Sequence, residues 1–133
     1  MIYQIYQTSR AFIKTLNAAI SSMDIYSSEW SIINLIKKNG TMPQTALVNL
    51  LQVEPAAISK TVAKLERKGI IKRNFLTDKR EKFITLTPQA EMIYTDLKKD
   101  VLAHRKKAFK GLSTEERKTL YELMKKIYTN IEK

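Results

Sequence analysis

Residues 55–86 read PAAISKTVAKLERKGIIKRNFLTDKREKFITL, and two structural periods meet inside this stretch. Over Pro55–Lys68 the apolar residues Ile58, Val62 and Leu65 recur at spacings of three and four, which at about 100° per residue places them in one narrow sector of a helix. Pro55 suits the first helical position, and Gly69 suits a C-terminal cap. Past Gly69 the period changes. Ile70–Phe75 and Lys82–Leu86 carry β-branched and aromatic residues, and the polar run Thr77-Asp78-Lys79-Arg80-Glu81 separates them, so a hairpin is predicted.

Opposite Ile58, Val62 and Leu65 lie Ala56, Lys60, Ala63, Lys64 and Arg67. Small residues let a helix approach base edges closely, and cations meet phosphates or guanine acceptors. The same face could simply be solvated. The hairpin shifts the weight: from Lys60 to Lys82 there are nine cations against three acids, Glu66, Asp78 and Glu81. That excess falls on the helix and hairpin that would meet a duplex together. Asp78 and Arg80 stand two apart in the turn, where a carboxylate can pair with a neighbouring cation, hold the loop's shape and leave an arginine at the tip for a minor groove.

Upstream, three more helices are predicted, at Met1–Ser22, Ser28–Lys38 and Pro43–Leu51, with Val53-Glu54 as a tight connection. The last of these and Pro55–Lys68 form a helix-turn-helix, and the hairpin makes it a winged helix. Downstream, Thr87-Pro88 starts a long helix to about Lys110. Gly111 ends it, and Ser113-Thr114-Glu115-Glu116 forms a capping box before a last helix. The predicted class is mainly α with a small β-hairpin: a winged helix-turn-helix over 28–87, flanked by helices at 1–22 and 88–133, in one domain spanning 1–133. Ile2, Tyr6, Ile127 and Ile131 on the flanking helices need burial, which favours a second copy as their cover.

Composition narrows the function. The 133 residues carry 24 Lys and Arg against 13 Asp and Glu, a formal charge of +11. Such a balance points to a polyanionic partner, nucleic acid or anionic lipid, or to a lysine-rich solvated surface. The absence of cysteine excludes a disulfide scaffold, a Cys-ligated zinc site and a thiol switch. The single histidine, His104, leaves no His cluster for a metal; it is read as a surface or interlayer residue, its role left open. No Gly-rich phosphate loop, paired-carboxylate site or nucleophile with a base is visible, so neither an enzyme nor a cofactor is expected. No run of about 18 apolar residues exists and no signal peptide is visible, which makes the cytoplasm the expected compartment.

The stretch Ile58-Ser59-Lys60-Thr61-Val62-Ala63-Lys64-Leu65-Glu66-Arg67-Lys68-Gly69-Ile70-Ile71-Lys72-Arg73, followed by Asp78-Lys79-Arg80 and by Leu86-Thr87, resembles the MarR family of transcriptional regulators. The family pattern is a Ser-rich recognition helix ending in Leu-Glu-x-x-Gly-Leu-Ile-x-Arg, then Asp-x-Arg in the wing, then Leu-Thr. Ser28-Glu29-Trp30 matches the start of the helix before the helix-turn-helix. The sequence departs from the pattern at caps and turns: Pro43, Gln52, Glu54 and Gln89-Ala90. The resemblance implies a homodimer binding double-stranded DNA at a pseudo-palindromic operator, as a ligand-responsive repressor. It implies DNA contacts from Ala56, Ser59, Lys60, Thr61, Ala63, Lys64, Arg67, Lys79 and Arg80, with Asp78 as wing support. It also implies a small-molecule effector between the layers, near Tyr26, Trp30 and the first and fifth helices. Two other readings remain at this stage: a winged-helix module for protein–protein contact, and a basic amphipathic protein of a membrane surface.

Overall fold

The computed structural model describes residues 1–75 and 82–132. In chain order these form α1 (Ile2–Ile20), a short 3-10 turn (Ser21–Met23), α2 (Ser27–Asn39), β1 (Met42–Pro43), α3 (Gln44–Leu51), α4 (Pro55–Arg67), β2 (Ile71–Phe75), β3 (Lys82–Leu86), α5 (Pro88–Ala108) and α6 (Thr114–Ile131). The order and type of the long elements match the sequence expectation to within one or two residues at most ends. The expected turn 77–81 lies outside the described residues, so Asp78, Lys79 and Arg80 do too.

One element was not anticipated. Met42–Pro43 pairs antiparallel with β3, Met42 opposite Ile84 and Pro43 opposite Phe83, so the hairpin becomes a three-stranded sheet in the order β1-β3-β2. Pro43, expected to open α3, instead precedes it in extended backbone at φ −69°, ψ 145°. β2 and β3 pair in register from Ile71–Leu86 to Phe75–Lys82. Met42, Ile71 and Ile84 are buried beneath the helices.

The core is one cluster. Ile32, Ile33 and Ile36 of α2, Leu47 of α3 and Ile58, Val62 and Leu65 of α4 meet Ile71 and Ile84 from the sheet. Leu16 and Ile20 of α1 and Leu97 and Val101 of α5 extend it into the second layer, where α1 packs along α5. Burying each aliphatic side chain contributes roughly 1.5–3 kcal/mol, so the α4 stripe alone gives a strong reason for that helix to keep its inner face inward.

Turn chemistry fixes the helix ends. Gly69, at φ +74°, closes α4 with the N–H of Gly69 donating to the Glu66 carbonyl (3.0 Å) and that of Ile70 to the Leu65 carbonyl (3.0 Å). A side chain on Gly69 would also meet Gln89 Oε1 at 2.9 Å. In the helix-turn-helix bend Gln52 adopts the left-handed conformation at φ 54°, ψ 47°, the geometry for which glycine is usual. Thr87 accepts from the Ala90 N–H at 3.2 Å, and Ser113 from the Glu116 N–H at 3.0 Å, while Glu116 accepts in return from the Ser113 N–H at 2.8 Å. Both caps are those expected from sequence. The hydrogen bond from the Ser113 N–H, with the Ser113 hydroxyl adding to it, holds the Glu116 carboxyl below its ordinary pKa.

His104 sits between two helices of the second layer. Its Nε2 lies 2.7 Å from Thr15 Oγ1, and its ring meets Phe12 edge-on at 4.8 Å, so it joins α5 to α1. The outermost helix differs from all others. α6 has no buried residue, and its apolar side chains, Leu120, Leu123, Met124 and Ile127 among them, are 37% to 76% exposed. Ile2, Ile5, Tyr6 and Ile13 of α1 are also exposed. No helix among the described residues is long and apolar enough to cross a membrane.

Candidate nucleic-acid interface

With Ile58, Val62 and Leu65 buried, the opposite side of α4 is left outward. Ala56, Ser59, Lys60 and Arg67 are exposed there, whereas Thr61, Ala63 and Lys64 are half-buried. The outward strip is therefore the N-terminal half of the helix together with Arg67. Ser59 Oγ accepts from Gln44 Nε2 at 3.1 Å, so the first residue of α3 braces the face of α4. The sequence reading did not single out Gln44. Its one signal was a polar amide at the start of the helix leading into the turn. Thr61 Oγ1 donates to the Ala57 carbonyl at 3.0 Å, which ties its hydroxyl to its own helix.

The cations of this region divide by partner. Lys60, Arg67, Lys72 and Lys82 are exposed. Lys64 points its Nζ at the face of Tyr26, 4.5 Å from the ring centroid. Arg73 forks onto Glu66, Nη2 to Oε1 at 2.7 Å and Nε to Oε2 at 3.2 Å, joining β2 to the last turn of α4. Lys68 Nζ lies 3.0 Å from Glu29, whose side chain is buried. So part of the cation excess holds the winged helix together, and the outward charge is smaller than the sequence count suggests.

The Glu66–Arg73 pair has a pH signature. The hydrogen bond from Arg73 holds the Glu66 carboxyl below its ordinary value, with the charges of Arg73 and Lys82 adding to the effect. A carboxyl depressed in the fold contributes stability above its unfolded value, about 4.3, and loses it as pH falls through the folded value. Arg73→Ala is therefore expected to destabilise at pH 7, modestly because the pair is partly exposed, and the difference from the parent should shrink as the pH falls below the unfolded carboxyl value of about 4.3. Urea titrations above and below that pH check this; a difference independent of pH would contradict it.

The two candidate effector residues separate. Trp30 stacks on Tyr94 at 5.6 Å between centroids, and Tyr94 Oη lies 2.9 Å from Asn34 Oδ1. These side chains, with Lys37, Lys38, Lys98 and Arg105, line a groove of about 390 Å³ between α2 and α5. Tyr26 does not line it: its ring is turned to α4, where it carries Lys64 and, at 5.3 Å, Lys68. A second groove, of about 480 Å³, opens between α5 and α6 over Leu102, Phe109, Leu120 and Met124.

Comparison with known proteins agrees with this architecture. The chain is 29% identical over 125 residues to the HTH-type transcriptional regulator YwoH of Bacillus subtilis, covering 94% of this chain and 91% of that protein. It is 30% identical over 118 residues to an HTH-type transcriptional regulator of Bacillus cereus, covering 88% of this chain and 79% of the relative. A mutant of MarR from E. coli complexed with operator DNA superposes with a TM-score of 0.86 at 24% identity, covering 94% of this chain and 91% of that one. A MarR family regulator from Listeria monocytogenes complexed with a DNA 26-mer also gives 0.86, at 21% identity and with 98% and 88% covered. At those identities the two structures speak for the fold. The family model that matches residues 25–82, from the loop before α2 to the start of β3, is that of the MarR family. With that match and those relatives, the chain belongs to the MarR family of winged helix-turn-helix transcriptional regulators.

Proposed function

We propose that this chain, acting as one unit over residues 1–133, is a transcriptional repressor that binds a pseudo-palindromic operator as a homodimer and releases it in response to a small ligand. The observation that carries the reading is α4: its inner stripe is locked under the core, and its outer face offers Ala56, Ser59 and Lys60 beside a basic hairpin. The dimer reading is supported by the exposed apolar residues along α1 and α6, a pattern that marks protein–protein contact surfaces. The solved relatives named above that hold DNA add to it. Such a protein works where the DNA is, in the cytoplasm, and performs no catalysis.

The DNA contacts proposed are Ala56, Ser59, Lys60, Thr61, Ala63 and Arg67 on α4, with Lys79 and Arg80 from the connection between β2 and β3. Lys64 is a weaker candidate than Lys60, because Tyr26 already occupies its ammonium. For the effector, the α2–α5 groove offers an aromatic wall at Trp30 and Tyr94 and cations at Lys38, Lys98 and Arg105, which suits an aromatic anion. The alternative of a protein-contact module is disfavoured by the cations on the reading face.

Electrophoretic shift with the DNA upstream of the chain's own gene tests the reading. Lys60→Ala should leave thermal stability unchanged, since the side chain is exposed and opposite the core stripe. If Lys60 meets a phosphate, the salt slope should fall by about one and all sequences should weaken alike. If it reads guanine, the loss should be about 1–3 kcal/mol and confined to one operator position. Unchanged affinity would mean that α4 does not face the duplex.

A further inference from the structure

Glu29 is the one charged residue buried in the core among the described residues. It stands in the first turn of α2 and faces the end of α4. Its Oε1 accepts from the Tyr26 N–H at 3.0 Å, and both of its oxygens lie 3.0 Å from Lys68 Nζ. The same ammonium donates to the Asp24 carbonyl at 2.5 Å, and Asp24 Oδ2 lies 3.8 Å away. Asp24 is a left-handed residue, φ 56°, at the joint where α1 gives way to α2.

We propose that Lys68 is a positioning residue for DNA reading: it fixes the C-terminal end of the recognition helix against the α1–α2 joint through buried Glu29 and makes no contact with DNA. This rests on the DNA-reading function proposed above. An ammonium has three donors. Here Glu29 Oε1 and the Asp24 carbonyl take two of them, Glu29 Oε2 lies at ion-pair distance, and the Tyr26 ring lies against the same head group. The side chain is only 19% exposed. A buried carboxylate without a cation is strongly unfavourable, so Lys68 cannot swing out to a phosphate without stranding Glu29.

Position makes the anchor matter. The thirteen residues of α4 span about 20 Å. Lys68 holds one end, and the exposed Ala56, Ser59 and Lys60 lie toward the other. A tilt of about 5° at the anchored end moves the far end by roughly 1.7 Å, well beyond the roughly 0.5 Å within which a preorganised site must be held. Asp24 and Tyr26 belong to the joint between the flanking helix α1 and the winged helix, so the pose of α4 is set from the layer that carries the unpartnered apolar stripe.

The test compares the parent with Lys68→Gln, and with Lys68→Gln combined with Glu29→Gln, well below their melting temperatures. The probes are a duplex that the parent selects from random-sequence DNA and a scrambled duplex of the same composition. Lys68→Gln should lose more than tenfold in affinity for the selected duplex. Its affinity for the scrambled duplex, and the slope of log affinity against log salt, should stay as in the parent. The double variant removes the stranded charge and lets two amides bond each other, so its affinity for the selected duplex should return to within a few-fold of the parent, although residue 68 still has no charge. If Lys68→Gln fails to fold, the double variant against the parent decides by the same two readouts. A salt slope lower by about one would make Lys68 a phosphate contact and overturn the proposal. So would unchanged affinity in Lys68→Gln, or a double variant that binds as weakly as the single one. A parent that selects no duplex at all would instead overturn the DNA-reading function itself.

Discussion

Leu123→Asp combined with Ile127→Asp is expected to convert the protein to a monomer and to lower operator affinity by about two to four orders of magnitude. The two residues lie four apart on α6 and are 52% and 49% exposed in the single chain, so neither supports the core described above. In the proposed dimer a second copy covers them, and a pair of carboxylates on each side of a twofold apolar seam would be desolvated and mutually repelled. The affinity follows from geometry. Two winged helices held on one scaffold bind the second half-site as an intramolecular event, and that gain, on the order of 10²–10⁴, disappears when the scaffold separates. Light scattering should show a mass near 15 kDa for the variant against twice that for the parent. Helical circular dichroism should be retained at least over α1–α5. A variant that remains a dimer, or a monomer that binds the operator as tightly as the parent, would place the dimer contact elsewhere.

Arg80→Ala is expected to have the next largest effect. The last described pair of the hairpin is Phe75 opposite Lys82, and the six residues between them include Asp78, Lys79 and Arg80. A wing beside a helix seated in the major groove meets the neighbouring minor groove, whose narrow A·T-rich form has an enhanced negative potential. Loss of the guanidinium should therefore lower operator affinity at least tenfold with little change in melting temperature, and Arg80→Lys should restore only part, because an ammonium is more strongly hydrated. Asp78→Ala carries the sharper sign. Removing an acid near DNA should tighten binding if only net charge counts. If Asp78 pairs with a wing cation and holds the turn, binding should weaken. Titrations at fixed salt separate the two: tighter Asp78→Ala binding would contradict the support role, and an unaffected Arg80→Ala would contradict the wing contact.

The parts of this architecture that were legible in sequence rest on local chemistry. The spacing of Ile58, Val62 and Leu65 named the buried face of α4, and the Thr87 and Ser113 caps formed as their side chains predicted. Gly69 reads as a terminator from sequence alone because its left-handed conformation is a local requirement. What was missed depends on partners distant in the chain. β1 is two residues long, too short to show a period of its own, and exists through its pairing with Ile84 and Phe83, some forty residues later. Lys68 meets Glu29 across 39 residues, and Tyr26 captures Lys64 across a similar gap. A count of cations along the chain cannot tell which ones the fold has already neutralised. Spacing along the chain is equally silent on direction: Tyr26 and Trp30 stand four residues apart, yet Tyr26 packs toward α4 and Trp30 toward α5.

If two copies of this chain present two α4 helices to one duplex, footprinting on DNA that the protein selects from a random pool will record both. The expected result is an inverted repeat with half-sites centred about one helical turn apart, roughly 10 bp, protected symmetrically at a stoichiometry of two chains per site. A single asymmetric half-site bound by one chain, or no enrichment of any sequence over the starting pool, would contradict it.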